Sequence, residues 1–298
     1  MGYCSRTGDA SRPRVNDYLI LTKARITGLV LVTTTVGFVL ASSQSVDLGR
    51  LAVLLVGVAL ATGGSAALNQ YLEHEIDARM RRTESRPLPA GRMGLGHGLA
   101  VGVVLSVVGV IWLVVRINPL TGLLALASSL LYLAVYTPLK TRTPLNTLVG
   151  AVPGAIPPVM GWTAVTGRVD VAAWALFGIL YLWQFPHFLA IAWMYRDDYA
   201  RARLPMLPVV DPDGGSTGRQ VALYSLALLP VSLIPTVLGL AGSVYFFGAL
   251  VAGLVFLGFG LAMTMNRERA SARRLLLASV TYLPILLVLL IVDRVRGP

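Results

Sequence analysis

Apolar residues gather along this chain into nine long runs, 24–43, 50–72, 97–116, 119–137, 145–165, 171–194, 220–241, 243–265 and 274–293, parted by polar breaks. Each run is close to the ~20 residues a helix needs to cross the hydrocarbon core of a bilayer. The pattern predicts an all-α integral membrane protein with nine transmembrane helices and its two ends on opposite sides. The polar breaks are unequal. Those after the second and sixth runs are long and rich in proline and glycine (RPLPAGRMG and LPMLPVVDPDGG), and each carries an arginine with a Leu-Pro pair: Arg86, Leu88 and Pro89, then Arg203, Leu204 and Pro205. This is a faint sign of a repeated four-helix unit.

Charge gives the orientation. With the N-terminus in the cytoplasm, 20 of the 25 Lys and Arg residues fall on the inner side, and only Arg50, Arg116, Arg168, Arg294 and Arg296 fall outside. That asymmetry is what the positive-inside rule describes. It absorbs most of the +11 formal charge, so nucleic acid is not an expected partner. Composition agrees, with 55% of the 298 residues apolar and 13% charged; soluble domains carry about 25% charged residues, so a water-soluble enzyme is excluded. The lone Cys4 rules out a disulfide within the chain. Residues 1–16 are polar, with three arginines and no small-residue cleavage site after them. They are expected to form a flexible arm on a single membrane domain, 17–298, in a bacterial or archaeal plasma membrane.

Eight of the fourteen acids lie in two short windows, 73–84 and 197–213. In the first, Asn69, Glu73 and Asp77 are spaced i, i+4, i+8, so a continuing helix stacks their oxygens on one face, with Glu75 directed elsewhere. Such a ladder, faced by Asp197 and Asp198 at the end of the sixth run, suits Mg²⁺ ions held by one or two carboxylates together with diphosphate oxygens. Lys140, Arg142, Arg79, Arg82, Arg86 and Arg196 lie on the same side and supply cations for a departing diphosphate. The competing reading, solvated helix caps beside topogenic arginines, explains one such cluster more easily than two.

At these residues the chain resembles the intramembrane prenyltransferases of the UbiA superfamily, whose first motif, Asn-x₃-Asp-x₃-Asp, takes the form Asn69, Glu73, Asp77 here. Four stretches carry the likeness in order from residue 17 to 210: DYLILTKARITGLV, NQYLEHEIDARMRRTESRPLPAGR, YTPLKTRTPLNTLVGAVPGAIPPVMGW and WQFPHFLAIAWMYRDDYARARLPMLPVV. The last resembles the heme-prenylating branch. The chain departs from the pattern at Glu73, at Ala24, where Lys-Pro-Arg is frequent, and in lacking a full second Asp-x₃-Asp. The resemblance implies a nine-helix UbiA-type bundle that condenses farnesyl diphosphate with a vinyl group of heme b to give heme O, with its active site towards the cytoplasm. It implies that Asn69, Glu73, Asp77, Asp197 and Asp198 hold Mg²⁺ and diphosphate, assisted by Lys140, Arg142, Arg82 and Arg86. Heme b would be a substrate rather than a resident cofactor. Membrane lipids, a heme A synthase and oxidase-assembly proteins are the implied partners.

Of the three histidines, His187 lies ten residues before Asp197 and so nearer mid-membrane, where polar residues default to functional roles. It is expected to contact heme, as imidazole is a common axial ligand; the alternative is a packing histidine bonded to a backbone carbonyl. His74 and His97 read as interfacial, and Trp183 and Phe185 as packing residues. Pro153, Pro157 and Pro158 are expected to break the fifth helix. Two other functions compete: a UbiA-type enzyme acting on a quinone precursor or chlorophyllide, and a transporter or non-catalytic heme-handling protein. The transporter should carry charge deep in several helices, and here the acids sit at one face.

Overall fold

A computed structural model describes residues 13–42 and 45–295, so most of the N-terminal arm lies outside the described residues. A short helix, α1 (Val15–Leu21), precedes the first spanning helix, α2 (Ala24–Ala41). Next come α3 (Leu48–Leu72), the single turn α4 (His74–Asp77), α5 (Leu95–Arg116) and α6 (Pro119–Leu139). The chain continues through α7 (Asn146–Thr166), α8 (Val171–Met194), the short α9 (Arg196–Arg201) and α10 (Leu207–Val210), then α11 (Gly215–Val237), α12 (Ser243–Asn266) and α13 (Arg269–Val292). Among the described residues nine helices are long and apolar enough to cross a membrane, matching the nine runs. Two begin a full turn or more before their runs. α11 starts at Gly215 because Asp211 accepts from both the backbone N–H and Oγ1 of Thr217, capping a polar first turn. α13 starts at Arg269, its first two turns carrying the exposed Arg269 and Arg273 ahead of the apolar stretch.

Two apolar cores flank a central helix. One joins α8, α11, α12 and α13; the other joins α2, α3, α5 and α7. Helix α7 lies between them and is buried from Ala155 to Ala164. In a bilayer, close packing of small residues drives helix association, and α2 meets α7 in that way: a Cβ added at Gly37 would strike the Pro158 carbonyl, and one at Gly161 would strike that of Thr34. The outer surface is apolar, with Val104, Val107 and Ile111 of α5 among the exposed side chains.

The expected break in the fifth spanning helix does not occur. Pro153, Pro157 and Pro158 all lie inside the continuous α7. Proline frees the carbonyl four residues before it, and neighbouring helices can satisfy that group. Here Ser128 Oγ of α6 donates to the Pro153 carbonyl, which the missing N–H of Pro157 leaves open, at 3.2 Å. Helix α6 is irregular instead: Leu131–Tyr136 widens into a π-helical turn, a feature that recurs at functional sites.

Candidate active site

Helix α3 ends at Leu72 and α4 restarts at His74, so the acidic ladder does not ride on one unbroken helix. Its spacing survives because Glu73 N–H still donates to the Asn69 carbonyl (2.9 Å) and Asp77 N–H to that of Glu73 (2.8 Å). Asn69, Glu73 and Asp77 therefore remain stacked, and each is at most 2% exposed. A buried carboxylate is costly unless paired, and each rung has a cation from a different part of the chain. Lys23 Nζ donates to Asn69 Oδ1 at 2.8 Å. Lys140 Nζ reaches both Glu73 carboxylate oxygens, at 3.1 and 2.9 Å. Arg86 Nη1 lies 2.5 Å from Asp77 Oδ2.

The wide turn of α6 completes the wall. Tyr132 donates its hydroxyl to Asn69 Oδ1 at 2.9 Å and accepts from Lys23 at 3.0 Å. The Tyr132 and Tyr136 rings stack 5.6 Å apart. Asn69 Nδ2 donates to Thr137 Oγ1 at 3.1 Å, so the whole Asn69 carboxamide is engaged. Burial pushes the Lys23 ammonium down to about 7, with Arg86 adding to the effect. Lys140 goes the other way: burial opposes its charge, but the Glu73 carboxylate outweighs that and lifts it above the ordinary lysine range.

One oxygen is left over. Asp77 Oδ1 is buried and has no hydrogen-bond partner, although a buried carboxylate oxygen ordinarily finds a donor. An open carboxylate oxygen of this kind could serve a Mg²⁺ ion, which takes one or two carboxylates and draws its remaining ligands from phosphate and water. Among the described residues no group of three or more His, Cys, Asp or Glu is placed to hold a metal ion.

The second window is built differently. Asp197 stands in water, its side chain 98% exposed, with Arg196 4.0 Å away. Asp198 pairs with Arg201 on the same turn. What joins the two loops is apolar and cationic: Met80 packs with Tyr199, Leu204 and Met206, while Arg82 donates to the Tyr199 hydroxyl at 2.6 Å and lies over the Tyr195 and Tyr199 rings. Arg142 is exposed on the same side of the chain. The structure thus gathers Asn69, Glu73, Asp77, Lys140 and Arg86, ties Arg82 to the second loop, and leaves Asp197, Asp198 and Arg142 outside the paired cluster. Lys23 also belongs to the cluster, although the charge asymmetry counts it only as one of the 20 inner cations. The signal was there, in its position just before the first apolar run of a chain whose other cations converge on the same face.

His187 sits on α8 against α13, its ring stacked 4.7 Å from that of Trp183. Its Nδ1 lies 2.8 Å from Ser279 Oγ, not against a backbone carbonyl. Ser279 commits its own proton to the Leu276 carbonyl at 2.6 Å, so Ser279 Oγ accepts from His187 Nδ1–H, which leaves the lone pair on Nε2. Trp183 donates to the Ser279 carbonyl, and Phe185 stacks on Tyr224 at 3.8 Å, both in packing roles. His74 bonds the Tyr71 carbonyl and His97 the Tyr18 hydroxyl.

Nine spans among the described residues and a buried ladder of oxygens and cations at one end make this a multi-pass membrane protein with a charged site. Residues 30–283 match the UbiA prenyltransferase family, and the chain belongs to that family. Over 292 residues it is 48% identical to a protein of Solibacter usitatus (strain Ellin6076) named protoheme IX farnesyltransferase, covering 94% of this chain and 99% of that one. The fold is that of solved relatives. A digeranylgeranylglyceryl phosphate synthase superposes with a TM-score of 0.79 at 16% identity, over 94% of this chain and 98% of the other. A UbiA homolog from Archaeoglobus fulgidus bound to GPP and Mg²⁺ superposes with a TM-score of 0.65 at 15% identity, over 93% and 99%.

Proposed function

We propose that this chain transfers the farnesyl group of farnesyl diphosphate to a vinyl group of heme b, releasing diphosphate and, after addition of water, giving heme O. The buried, unpartnered Asp77 Oδ1 among Arg86, Lys140 and Lys23 carries the diphosphate half of this reading. Near-full-length likeness to proteins named protoheme IX farnesyltransferase supports the acceptor half. The positive-inside asymmetry supports a plasma-membrane location with the ladder facing the cytoplasm.

Asp77 and Glu73 would hold Mg²⁺ beside the diphosphate, with Asp197 and Asp198 as further oxygen donors and Asn69 joining them by exchanging one of the two donors on its Oδ1 for the ion. Bound there, the metal neutralises charge as it gathers on the leaving oxygens. Lys23, Lys140, Arg86 and Arg82 line the same face and meet the charge that the diphosphate gains as its bond to the farnesyl C1 breaks; Arg142 extends the line at the surface. The allylic cation left behind is open to hydrolysis, so it needs a cavity poor in water. The heme vinyl attacks that cation, and water adds to the resulting centre with loss of a proton. His187 would offer Nε2 to heme, its tautomer fixed by the bond from Nδ1–H to Ser279 Oγ.

The test is to express the chain in a host lacking heme O, extract the hemes and separate them by reverse-phase chromatography with mass detection, beside an Asp77→Ala control. A peak at the mass of hydroxyethylfarnesyl heme, lost in the control, is the expected result. Well-expressed protein that leaves only heme b overturns the acceptor, and labelled prenyl diphosphates against quinone precursors then identify the alternative.

A further inference from the structure

Lys23 reaches Asn69 from an unusual backbone. Its φ and ψ are 48° and 51°, in the left-handed region that side chains other than glycine seldom occupy. Such a conformation persists only where the surroundings impose it. Here they do so at the end of α1, where the Thr22 N–H closes the Tyr18 carbonyl at 2.9 Å, the Lys23 N–H closes that of Ile20 at 3.1 Å, and side chains supply the remaining donors that a helix C-terminus calls for. Gln70 Nε2 donates to the carbonyls of Ile20 and Leu21, each at 2.8 Å. Thr27 Oγ1 closes the Thr22 carbonyl at 2.9 Å, and Thr22 Oγ1 that of Tyr18 at 2.8 Å. Leu21, fully buried against Ala67, Leu88 and Met93, seats the elbow.

The spacing on α3 explains why one helix can both tether and receive the lysine. Gly63, Ala67 and Gln70 follow i, i+4, i+7 and share one face. Gly63 keeps that face low, since a Cβ there would come within 3.3 Å of Thr22 Cβ. Asn69, one residue before Gln70, points to the adjoining face, where it meets Lys23. Gln70 itself is 1% exposed, and its Oε1 has no partner. The carboxamide is therefore oriented by its two donated bonds alone.

We propose that Gln70 is a positioning residue: by capping the C-terminal end of α1 from α3 it sets the elbow that delivers Lys23 to the diphosphate face of the site. The role of Lys23 as a diphosphate contact rests on the function proposed above; the dependence of Lys23 on Gln70 does not.

The test uses the purified full-length chain in lipid nanodiscs and measures binding of Mg²⁺-pyrophosphate by calorimetry, for Gln70→Leu, Lys23→Ala, the double variant and Thr27→Val. Loss of one charge-assisted contact weakens binding about tenfold. Gln70→Leu and Lys23→Ala should each show that loss, and the double variant should bind no more weakly than Lys23→Ala, because the two act through one contact. With farnesyl diphosphate, Gln70→Leu should raise KM for the diphosphate and leave that for heme b unchanged. Wild-type binding by Gln70→Leu, losses that multiply in the double variant, or no pyrophosphate binding by the wild type overturns the proposal. Where Gln70→Leu yields no folded protein, Thr27→Val decides, by the same comparison with Lys23→Ala. Farnesyl transfer by the wild type is assayed alongside: a normal binding cycle without transfer counts against the prenyl-transfer reading and leaves the elbow standing.

Discussion

At the end of α3, three oxygen-bearing side chains are buried and each is met by a cation from elsewhere in the chain. At the end of α8, Asp197 stands in water and Asp198 pairs with an arginine on its own turn. The two loops look alike in sequence, each an acidic cluster followed by Arg and Leu-Pro. Their leucines even behave alike: Leu88 and Leu204 are both buried and pin their loops to apolar clusters. The difference lies in how the acids are compensated. Burial forces a carboxylate to find a counter-charge, so the first loop is assembled in advance around fixed partners. In the second loop Asp197 is solvated, and the half-buried Asp198 is held by an arginine of its own turn.

The largest expected effect that tests this contrast is on stability. Glu73→Ala leaves Lys140 buried without its carboxylate, and breaking such a pair from one side costs about 3–5 kcal/mol. Lys140→Met together with Glu73→Gln removes both charges and should regain much of that loss in thermal unfolding. The same change at an exposed acid should be nearly silent, since surface substitutions stay within about 0.5 kcal/mol.

Turnover comes next. Asp77→Ala removes the unpartnered carboxylate oxygen of the ladder and should lower heme O formation about 10²–10³-fold, roughly 3–4 kcal/mol of barrier. Asp197→Asn should reduce turnover by no more than about tenfold and leave the unfolding midpoint in place. A loss there equal to that of Asp77→Ala would show that both loops form the site on equal terms.

A smaller effect concerns pH. Folding brings Lys23 from 10.5 to about 7, so between those values the unfolded chain binds more protons than the folded one. Stability should therefore rise as pH climbs from about 7 towards 10.5, with the burial penalty fully felt below 7. Lys23→Met should flatten that slope, as followed by thermal unfolding across the range. The smallest effect expected is at Asp198→Asn, which breaks only a local pair with Arg201. Exposed pairs of this kind contribute about 0.2–1 kcal/mol, so its unfolding curve should nearly overlay that of the wild type.

Much of this protein was legible in its sequence. Nine apolar runs gave nine spanning helices, because the bilayer imposes a length and forbids unpaired backbone polar groups within each span. The i, i+4, i+8 spacing of Asn69, Glu73 and Asp77 placed three oxygens on one side, and helix geometry kept them there even across the break at Glu73. The prolines of α7 misled, because proline chemistry is local whereas its remedy, the hydroxyl of Ser128, comes from another helix.

What only the tertiary structure decided is which charges meet. Sequence counted the cations on one side of the membrane but could not tell a topogenic arginine from a ligand-facing lysine, since both satisfy the same asymmetry. Lys23, Arg86 and Lys140 converge because α1, the first long loop and α6 all pack against the end of α3. The open oxygen of Asp77, the elbow held by Gln70 and the tautomer that Ser279 imposes on His187 likewise depend on residues distant in sequence. Each is a matter of burial and directed hydrogen bonds, which spacing along one helix does not specify.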